Sequence, residues 1–180
     1  MSSAKALADR VARTVGSRAI GTRAWSDAAV ERIAATSKGL KVLEIGSGRQ
    51  DLGENAYSLA RLFTEADFVQ SDVNPAFGHR VVDVTDMSIE EEFDVILCMY
   101  VLEHVFDVPT AVESMRRALR PGGRLVIAVP HIYPYHDEPI DFWRFTEHSL
   151  ERLCAAFSTV EIQHKGMRRF PKGLLAVATR

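Results

Sequence analysis

Two glycines, two positions apart, follow a short apolar run in VLEIGSG, residues 42–48. The apolar run predicts a buried strand, and Gly46 and Gly48 predict a tight turn that opens a helix. Glycine tolerates positive φ and lets the backbone approach a ligand closely. The crevice after the first strand of a doubly wound sheet is where such folds bind nucleotides. Taken alone, the Gly-x-Gly pattern also fits a simple tight turn.

Two aspartates downstream strengthen the case for a bound nucleoside. Asp72 closes the second predicted strand, where a carboxylate presents two oxygens to both hydroxyls of a ribose. Asp83 follows the third predicted strand and is placed to accept the amino group of an adenine. Both can also be ordinary strand-end residues. Asp51 argues against a dinucleotide, because that fingerprint needs glycine or alanine there and a carboxylate would repel the pyrophosphate.

A third group of chemically capable side chains lies in PHIYPYHDEPIDFWRF, residues 130–145. This segment follows the fifth predicted strand, at the carboxyl edge of the sheet, where substrates bind. Histidine titrates near neutrality, so the candidate general bases are His131, His136 and, after the fourth strand, His104. The predicted acceptor-binding residues are Tyr133, Asp141, Trp143 and Arg144.

Each of these residues also has a structural interpretation. The planar fork of Arg144 suits a substrate carboxylate or phosphate, and it equally suits an ion pair with Asp141 that would hold the segment. Trp143 is more typical of a packing anchor than of a substrate platform, and His104 can serve in capping or packing. The histidines and aspartates lack the tight spacing of a metal site, so the sequence predicts no metal.

The elements that must position these residues alternate between strand and helix, which predicts a doubly wound, mostly parallel sheet. Amphipathic helices are expected over residues 4–15 and from Ser26 as N-cap to about residue 38. Further helices are expected over 55–63, 109–119 and 147–157, the last capped by Thr146. Strands are expected over 40–45, 68–70, 81–82, 93–99, 125–129, 159–163 and 174–178, with turns at 120–123 and 171–173.

Five segments of this framework resemble motifs of the class I (Rossmann-like) S-adenosylmethionine-dependent methyltransferases. They are VLEIGSG, SDVNP, VVDVTDM, FDVILCMYVLEHV and LRPGGRLVIAVP, which together span about residues 40–130. The resemblance implies an α/β fold with a doubly wound, seven-stranded, mostly parallel sheet, an antiparallel last strand and helices on both faces. It also implies a methyltransferase with S-adenosylmethionine as its cofactor.

The resemblance further implies which residues contact that cofactor. At the methionine end they are Glu44, Gly46, Ser47 and Gly48. At the ribose and adenine they are Asp72, Val73, Asp83 and Val84. Met99 and Tyr100 would flank the methyl-transfer site. Gln50 stands where the family often has a third glycine, so the turn must differ locally.

The sequence HDEPIDFWRFT, residues 136–146, is similar to the H-x-x-P-x-D-[FY]-W-R-[FY]-T segment of a bacterial subgroup of these methyltransferases, some of them associated with glycan or sugar modification. We therefore predict a small-molecule acceptor, such as a sugar or another hydroxyl. A non-catalytic member that binds only the cofactor or a partner is the alternative. A protein or nucleic-acid methyltransferase ranks lower, because MYVL stands where an Asn-Pro-Pro-Tyr-type motif would follow the fourth strand.

Composition is consistent with a single globular domain of 180 residues, with 47% hydrophobic and 26% charged residues. We expect residues 1–39 to form helices packed on a methyltransferase domain of residues 40–180. A net charge of −2 favours neither a nucleic-acid nor a membrane partner. Cys98 and Cys154 lie in apolar runs, which suits a reduced compartment, and a cytoplasmic location is expected. The oligomeric state stays open.

Overall fold

A computed structural model of the chain describes residues 21–49, 58–137 and 139–180. The helix expected over 4–15, and Gln50, lie outside the described residues. The helices are α1 (Thr22–Ala34), α2 (Val108–Ala118) and α3 (Glu147–Leu153). The strands are β1 (Lys41–Ile45), β2 (Asp67–Asp72), β3 (Arg80–Val81), β4 (Phe93–Met99), β5 (Leu119–Pro130), β6 (Thr159–Met167) and β7 (Phe170–Thr179). Single turns of 3-10 helix occupy Ala60–Leu62, Pro75–Phe77 and Leu102–His104.

The seven strands form one sheet in the order β3-β2-β1-β4-β5-β7-β6. The first five strands of this order are parallel to one another, and β7 runs antiparallel to both β5 and β6. This confirms the predicted mostly parallel sheet with an antiparallel last strand. The chain moves outward from β1 to β3 and then returns to β4 on the other side of β1. Such a switch point leaves a crevice at the carboxyl ends of the two central strands.

Apolar side chains cover both faces of the sheet. One face packs against α1, through Ala29, Val30, Ile33, Val42, Val95 and Leu97. The other face packs against α2 and α3, through Leu43, Ile96, Val112, Met115 and Leu150. Parallel strands that are buried on both faces are apolar at nearly every position, which is why β4 was recognisable in the sequence. None of the helices in the described part of the chain has the length and apolar character that a membrane span requires.

Three helix boundaries differ from the expectations by more than one residue, and one of them is the end of α1, which lies at Ala34 rather than near residue 38. Ser26 is not the N-cap of α1: Gly21 precedes the helix, and Ser26 is buried within it, where its hydroxyl donates to the Arg23 carbonyl at 2.8 Å. The third helix ends at Leu153, four residues early, although Thr146 caps it as predicted. Of the helix expected over 55–63, the described part holds one 3-10 turn, and its first residues lie outside the described residues.

The strands near the C-terminus extend beyond their apolar cores. β5 begins at Leu119, so residues 120–123 lie within the bounds of the strand, but its pairing with β4 is interrupted there and resumes at Arg124. Gly122 has a φ of 77°, so the break predicted at 120–123 is an irregularity inside the strand. The hairpin between β6 and β7 turns after Met167, which pairs with Phe170, and not at residues 171–173. Strand pairing is made by the backbone, so polar and glycine residues continue a ladder that hydropathy alone predicts to end earlier.

Candidate active site

The glycine turn after β1 lies at the switch point of the sheet. Gly46 and Gly48 have φ values of 71° and 68°, a left-handed conformation that favours glycine. A Cβ added to Gly46 would lie 2.6 Å from Cγ2 of Val101, closer than non-bonded carbon atoms approach. The turn after β1 is therefore in direct contact with the turn after β4, and only glycine leaves room for that contact.

Glu44 is buried near the end of β1 and fastens the glycine turn. Its carboxylate accepts hydrogen bonds from the hydroxyls of Ser47 at 2.7 Å and Ser58 at 2.5 Å, and from the Leu59 N–H at 2.7 Å. Ser47 lies at the start of the connection between β1 and β2, and Ser58 and Leu59 lie further along it. Glu44 thus positions the turn, and the predicted contact with a cofactor would come in addition to these bonds.

Asp72 ends β2 opposite the glycine turn. Its Oδ2 accepts the Gly48 N–H at 3.0 Å, and its Oδ1 accepts the Asn74 N–H at 2.9 Å. Each carboxylate oxygen has two acceptor sites, so both keep one for a ligand hydroxyl. The side chain is 9% exposed, at the mouth of the crevice. His79, which the sequence reasoning missed, reaches the same turn: its Nε2 lies 2.8 Å from the Gly48 carbonyl.

Asp83 and Val84 lie where the adenine is predicted, and both carry structural roles. Oδ1 of Asp83 accepts the Thr85 N–H at 2.8 Å and the Thr85 hydroxyl at 2.7 Å, as in an ordinary turn. The Val84 side chain is buried in the core, so only its backbone can face a ligand. Val73, just after β2, is 63% exposed and stands at the rim of the crevice.

The turn after β4 carries a strained residue. Tyr100 has a φ of 59°, which is uncommon for a residue with a side chain and is often found at functional sites. Its hydroxyl donates to the Ser26 hydroxyl at 3.1 Å, and the Arg23 guanidinium lies 4.9 Å from its ring centroid. Met99, the residue before it, is nearly buried. The sequence reasoning missed Ser26 and Arg23 because they precede the motifs.

Arg144 holds the segment between β5 and α3. Its Nη1 and Nη2 donate to the two oxygens of Asp141 at 2.5 and 2.7 Å. It also donates to the backbone carbonyls of Tyr133, Pro134 and Trp143. Burial opposes ionisation of Asp141, but the Arg144 guanidinium and the His136 N–H hold its pKa at about 2. The sequence left two roles open for Arg144, binding a substrate anion and pairing with Asp141. The structure contains the ion pair with Asp141.

The three candidate bases lie in two places. The rings of His104 and His136 are 4.9 Å apart, and the Tyr133 ring is 4.9 Å from that of His136. Burial lowers the pKa of His136 although Asp141 opposes this, which keeps the imidazole neutral. His131 stands apart, with its Nδ1 2.5 Å from the Phe145 carbonyl.

Trp143 combines a packing role with exposure. Its indole N–H donates to the Val105 carbonyl at 3.0 Å, and its ring lies 5.8 Å from that of Phe106. Its side chain nevertheless remains 40% exposed. The indole is therefore fixed in place, and a large part of its surface is left for contact with another molecule.

A doubly wound sheet with a glycine turn after β1 and an acid at the end of β2 defines a nucleoside-binding α/β domain of the kind found in S-adenosylmethionine-dependent methyltransferases. The chain belongs to the methyltransferase domain family, which matches residues 18–164. The family predicted from the motifs is thus confirmed. S-adenosylmethionine is the cofactor of this family, and the chain fits it: Gly46 and Gly48 form a left-handed turn at the switch point, and both oxygens of Asp72 keep an acceptor site for the ribose.

Solved structures of methyltransferases share this fold. An Archaeoglobus fulgidus SAM-dependent methyltransferase is 14% identical, with a TM-score of 0.64 over 88% of this chain and 94% of that one. A Burkholderia thailandensis 1,6-didemethyltoxoflavin-N1-methyltransferase, with bound 1,6-didemethyltoxoflavin and S-adenosylhomocysteine, is 22% identical, with a TM-score of 0.60 over 100% and 90% of the two chains. At these identities the likeness shows the fold alone.

Curated relatives share more sequence over a shorter span. A ubiquinone biosynthesis O-methyltransferase of Xanthomonas oryzae pv. oryzae is 32% identical over 102 residues, covering 50% of this chain and 43% of that protein. One of Nitrobacter winogradskyi is 34% identical over 97 residues, covering 48% and 37% of the two chains. The chain thus spans less than half the length of these relatives, so their acceptor is not carried over.

Proposed function

We propose that the chain transfers the methyl group of S-adenosylmethionine to a small-molecule acceptor, and that the accepting atom is a hydroxyl oxygen. The observation that carries this proposal is the Asp72 carboxylate, which faces the Gly46–Gly48 turn at the switch point and keeps free acceptor sites. The curated relatives support a hydroxyl acceptor, because they are named O-methyltransferases.

When bound, S-adenosylmethionine supplies a methyl group on a positively charged sulfur, already activated for in-line displacement. The chain has to bind the donor, align the acceptor and exclude water. Asp72 would hold the ribose hydroxyls, and the glycine turn would let the backbone approach the methionine end. Met99 and Tyr100, at the end of β4, would border the space in which the acceptor meets the methyl group.

An oxygen acceptor has to lose its proton, and the chain offers histidines for this step. His136 is the best placed of the three, because its imidazole is neutral and half-buried beside Tyr133 and His104. Tyr133 and Trp143 would line the acceptor side, and the buried Asp141 would position His136 behind them. A sugar hydroxyl fits this polar and aromatic surface, and so does a phenol.

A non-catalytic role in binding is the second candidate. The observation that favours it is the complete engagement of Arg144 within the protein, which leaves its guanidinium unavailable as a substrate clamp. A chain of this kind would bind the cofactor without turning it over. Both candidate functions therefore predict cofactor binding, and only the catalytic one predicts turnover.

The test is calorimetric titration of the purified chain with S-adenosylmethionine and S-adenosylhomocysteine. Asp72→Ala should weaken both affinities by about 1–3 kcal/mol, because buried polar partners are left unpaired. The matched control is Asp67→Asn, exposed at the opposite end of the same strand, which should leave affinity unchanged. Equal affinities for the wild type and Asp72→Ala would refute the assignment.

The same preparations, together with His136→Ala, are then assayed for release of S-adenosylhomocysteine with panels of phenols and sugars. Methylation of any member that depends on His136 supports the catalytic proposal. Cofactor binding without release across the panels favours the non-catalytic candidate.

A further inference from the structure

Glu103 is a fully buried carboxylate with no partner among the described residues. It lies in the 3-10 turn after β4, and neither of its carboxylate oxygens has a hydrogen bond. Burial raises the pKa of this carboxyl to about 8. A polar group buried without a hydrogen bond destabilises the fold, so the presence of Glu103 at this place points to a ligand that would bind it.

Two histidines converge on this carboxylate. One ligand atom from each of Glu103, His104 and His136 lies within 4.8 Å of the others. The two imidazole rings are 4.9 Å apart and nearly perpendicular, at 79°. Glu103 and His104 come from the turn after β4, and His136 comes from the segment after β5. Two distant parts of the chain thus bring three metal-ligating side chains together.

Each of the two rings is oriented from outside the cluster. Nδ1 of His104 lies 2.8 Å from the Ile140 carbonyl. Nδ1 of His136 lies 3.1 Å from Oδ2 of Asp141, an ion-pair distance that falls short of hydrogen-bond geometry. A carbonyl or carboxylate at the second ring nitrogen is the usual outer partner of a metal-bound histidine. Arg144 in turn fixes Asp141.

We propose that Glu103, His104 and His136 bind one divalent transition-metal ion, with zinc as the best fit. Two imidazoles and one carboxylate form a donor set that zinc and ferrous iron accept, and three protein ligands leave a position open. Ligand distances of about 2.0–2.2 Å place tetrahedral ligand atoms roughly 3.4 Å apart. The present ligand atoms lie within 4.8 Å of one another, so they would approach by at most about 1.4 Å on binding.

This proposal replaces the sequence-based expectation of no metal. That expectation looked for tight spacing among the histidines and aspartates of one segment. Two of the ligands proposed here, Glu103 and His104, are adjacent after β4, the third lies after β5, and Glu103 had no role at that point. Its role emerges from its burial without a partner, which the sequence does not reveal.

An ion held by these ligands would lie near the Tyr133 ring, which is 4.9 Å from the His136 ring and belongs to the predicted acceptor-binding residues. A hydroxyl bound there would lose its proton to water more readily, since a metal ion lowers the pKa of bound oxygen ligands. Its oxygen would then attack the methyl carbon, and the carbon–sulfur electron pair would pass to sulfur. In the metal-loaded protein His136 is a ligand, and the ion takes over the role of activating the acceptor that the metal-free proposal gives to His136. This role rests on the proposed function, whereas the metal site does not.

The experiment titrates metal-free protein with Zn²⁺ by calorimetry and with Co²⁺ by visible absorption. We expect one ion per chain with a Kd below about 1 µM, a binding free energy of at least about 8 kcal/mol. Glu103→Gln and His136→Ala should each weaken Zn²⁺ binding at least ~100-fold, that is by about 2.7 kcal/mol or more. His164→Ala, an exposed histidine on β6, is the control and should leave binding unchanged.

Folding of the variants is checked by thermal melting without metal. Glu103→Gln keeps the shape of the side chain and removes the buried ionisable group, so its Tm should equal or exceed that of the wild type. A wild-type Kd above about 100 µM, or equal Zn²⁺ affinity in the wild type and both ligand variants, overturns the proposal. Titration of the same metal-free protein with S-adenosylmethionine keeps the two proposals separate, because the donor site and the metal site share no residue.

Discussion

Gly46 meets two separate requirements, a left-handed backbone and space for a neighbouring side chain. Its φ is 71°, and a Cβ there would lie 2.6 Å from Cγ2 of Val101. Gly78 meets only the first requirement, with a φ of 77° and no atom within 4 Å of an added Cβ. The two glycines therefore form a matched pair that separates backbone strain from steric contact.

We expect Gly46→Ala to destabilise the fold more than Gly78→Ala. Both variants lose about 1–2 kcal/mol to the left-handed backbone, and Gly46→Ala loses roughly a further 1–3 kcal/mol to overpacking against Val101. Urea denaturation measures the free energy of unfolding. Val101→Ala in the Gly46→Ala background should restore only the stability that was lost to overpacking. Equal losses of unfolding free energy in Gly46→Ala and Gly78→Ala would contradict this explanation.

At the scale of elements, the segment after β5 has no regular secondary structure, and the Arg144 side chain makes several of the hydrogen bonds that hold it. Arg144 joins Asp141 to three backbone carbonyls, and Asp141 also accepts the His136 N–H at 2.9 Å. The exposed fractions of the Arg144 and Asp141 side chains are 27% and 1%. The conformation of the acceptor side therefore depends on a largely buried ion pair.

Arg144→Ala should lower the free energy of unfolding by about 2–4 kcal/mol, because Asp141 is left as an unpaired buried charge. Arg144→Lys keeps the charge but lacks the planar guanidinium that bonds both oxygens of Asp141. It should therefore retain less than half of the stability that Arg144→Ala loses. Affinity for S-adenosylmethionine should stay within about threefold, below 1 kcal/mol, since the donor site is formed by other elements. Loss of cofactor binding in a folded variant would assign the segment to the donor site instead.

A second cluster joins strands at the opposite, amino end of the sheet. Glu92, just before β4, accepts from Nζ of Lys41 at 2.9 Å and from both terminal nitrogens of Arg80 at 2.8 and 3.1 Å. The Arg80 hydrogen bonds, opposed by burial and aided by Lys41, lower the pKa of Glu92 from 4.5 to about 2. These contacts connect the starts of β1, β3 and β4.

Glu92→Gln should lower the free energy of unfolding at pH 7 by about 1–2 kcal/mol, after allowance for solvent screening. A carboxyl with a depressed folded pKa stabilises the fold above its unfolded pKa, and this contribution is lost as the pH falls through the folded pKa. The difference between wild type and variant should therefore shrink from pH 6 to about pH 3.5. Glu90→Gln, exposed nearby, is the control, and a difference that does not change with pH would exclude this mechanism.

The elements that were predictable are those whose burial determines their composition. β4 is buried on both faces, so its apolar run is visible in the sequence, and the alternation of strands and helices led to the sheet. The segment after β5 was recognisable only as a loop. Hydrogen bonds from the Arg144 side chain to backbone carbonyls leave no periodic pattern in the sequence. Glu103 was missed for a related reason: an acid in an apolar stretch gives no sign of whether it is buried or solvated.

At the scale of the whole molecule, the candidate donor site draws on both faces and several strands of the sheet. The glycine turn follows β1, Asp72 ends β2, Tyr100 follows β4, and α1 reaches that turn through Ser26. A ligand bound among these elements would hold the central strands and α1 to one another. Cofactor binding should therefore stabilise the domain as a unit against unfolding.

S-adenosylhomocysteine at 100 times its Kd should add about 2.7 kcal/mol to the free energy of unfolding. For a domain of 180 residues, this corresponds to a rise in Tm of roughly 5–10 °C. The rise should grow with ligand concentration, remain in Asp67→Asn and be reduced in Asp72→Ala. NAD at the same concentration should leave Tm unchanged, because the sequence has an aspartate, at position 51, where the dinucleotide fingerprint requires glycine or alanine. Thermal melting followed by circular dichroism measures all four cases, and a shift with NAD but not with S-adenosylhomocysteine would assign the crevice to a dinucleotide.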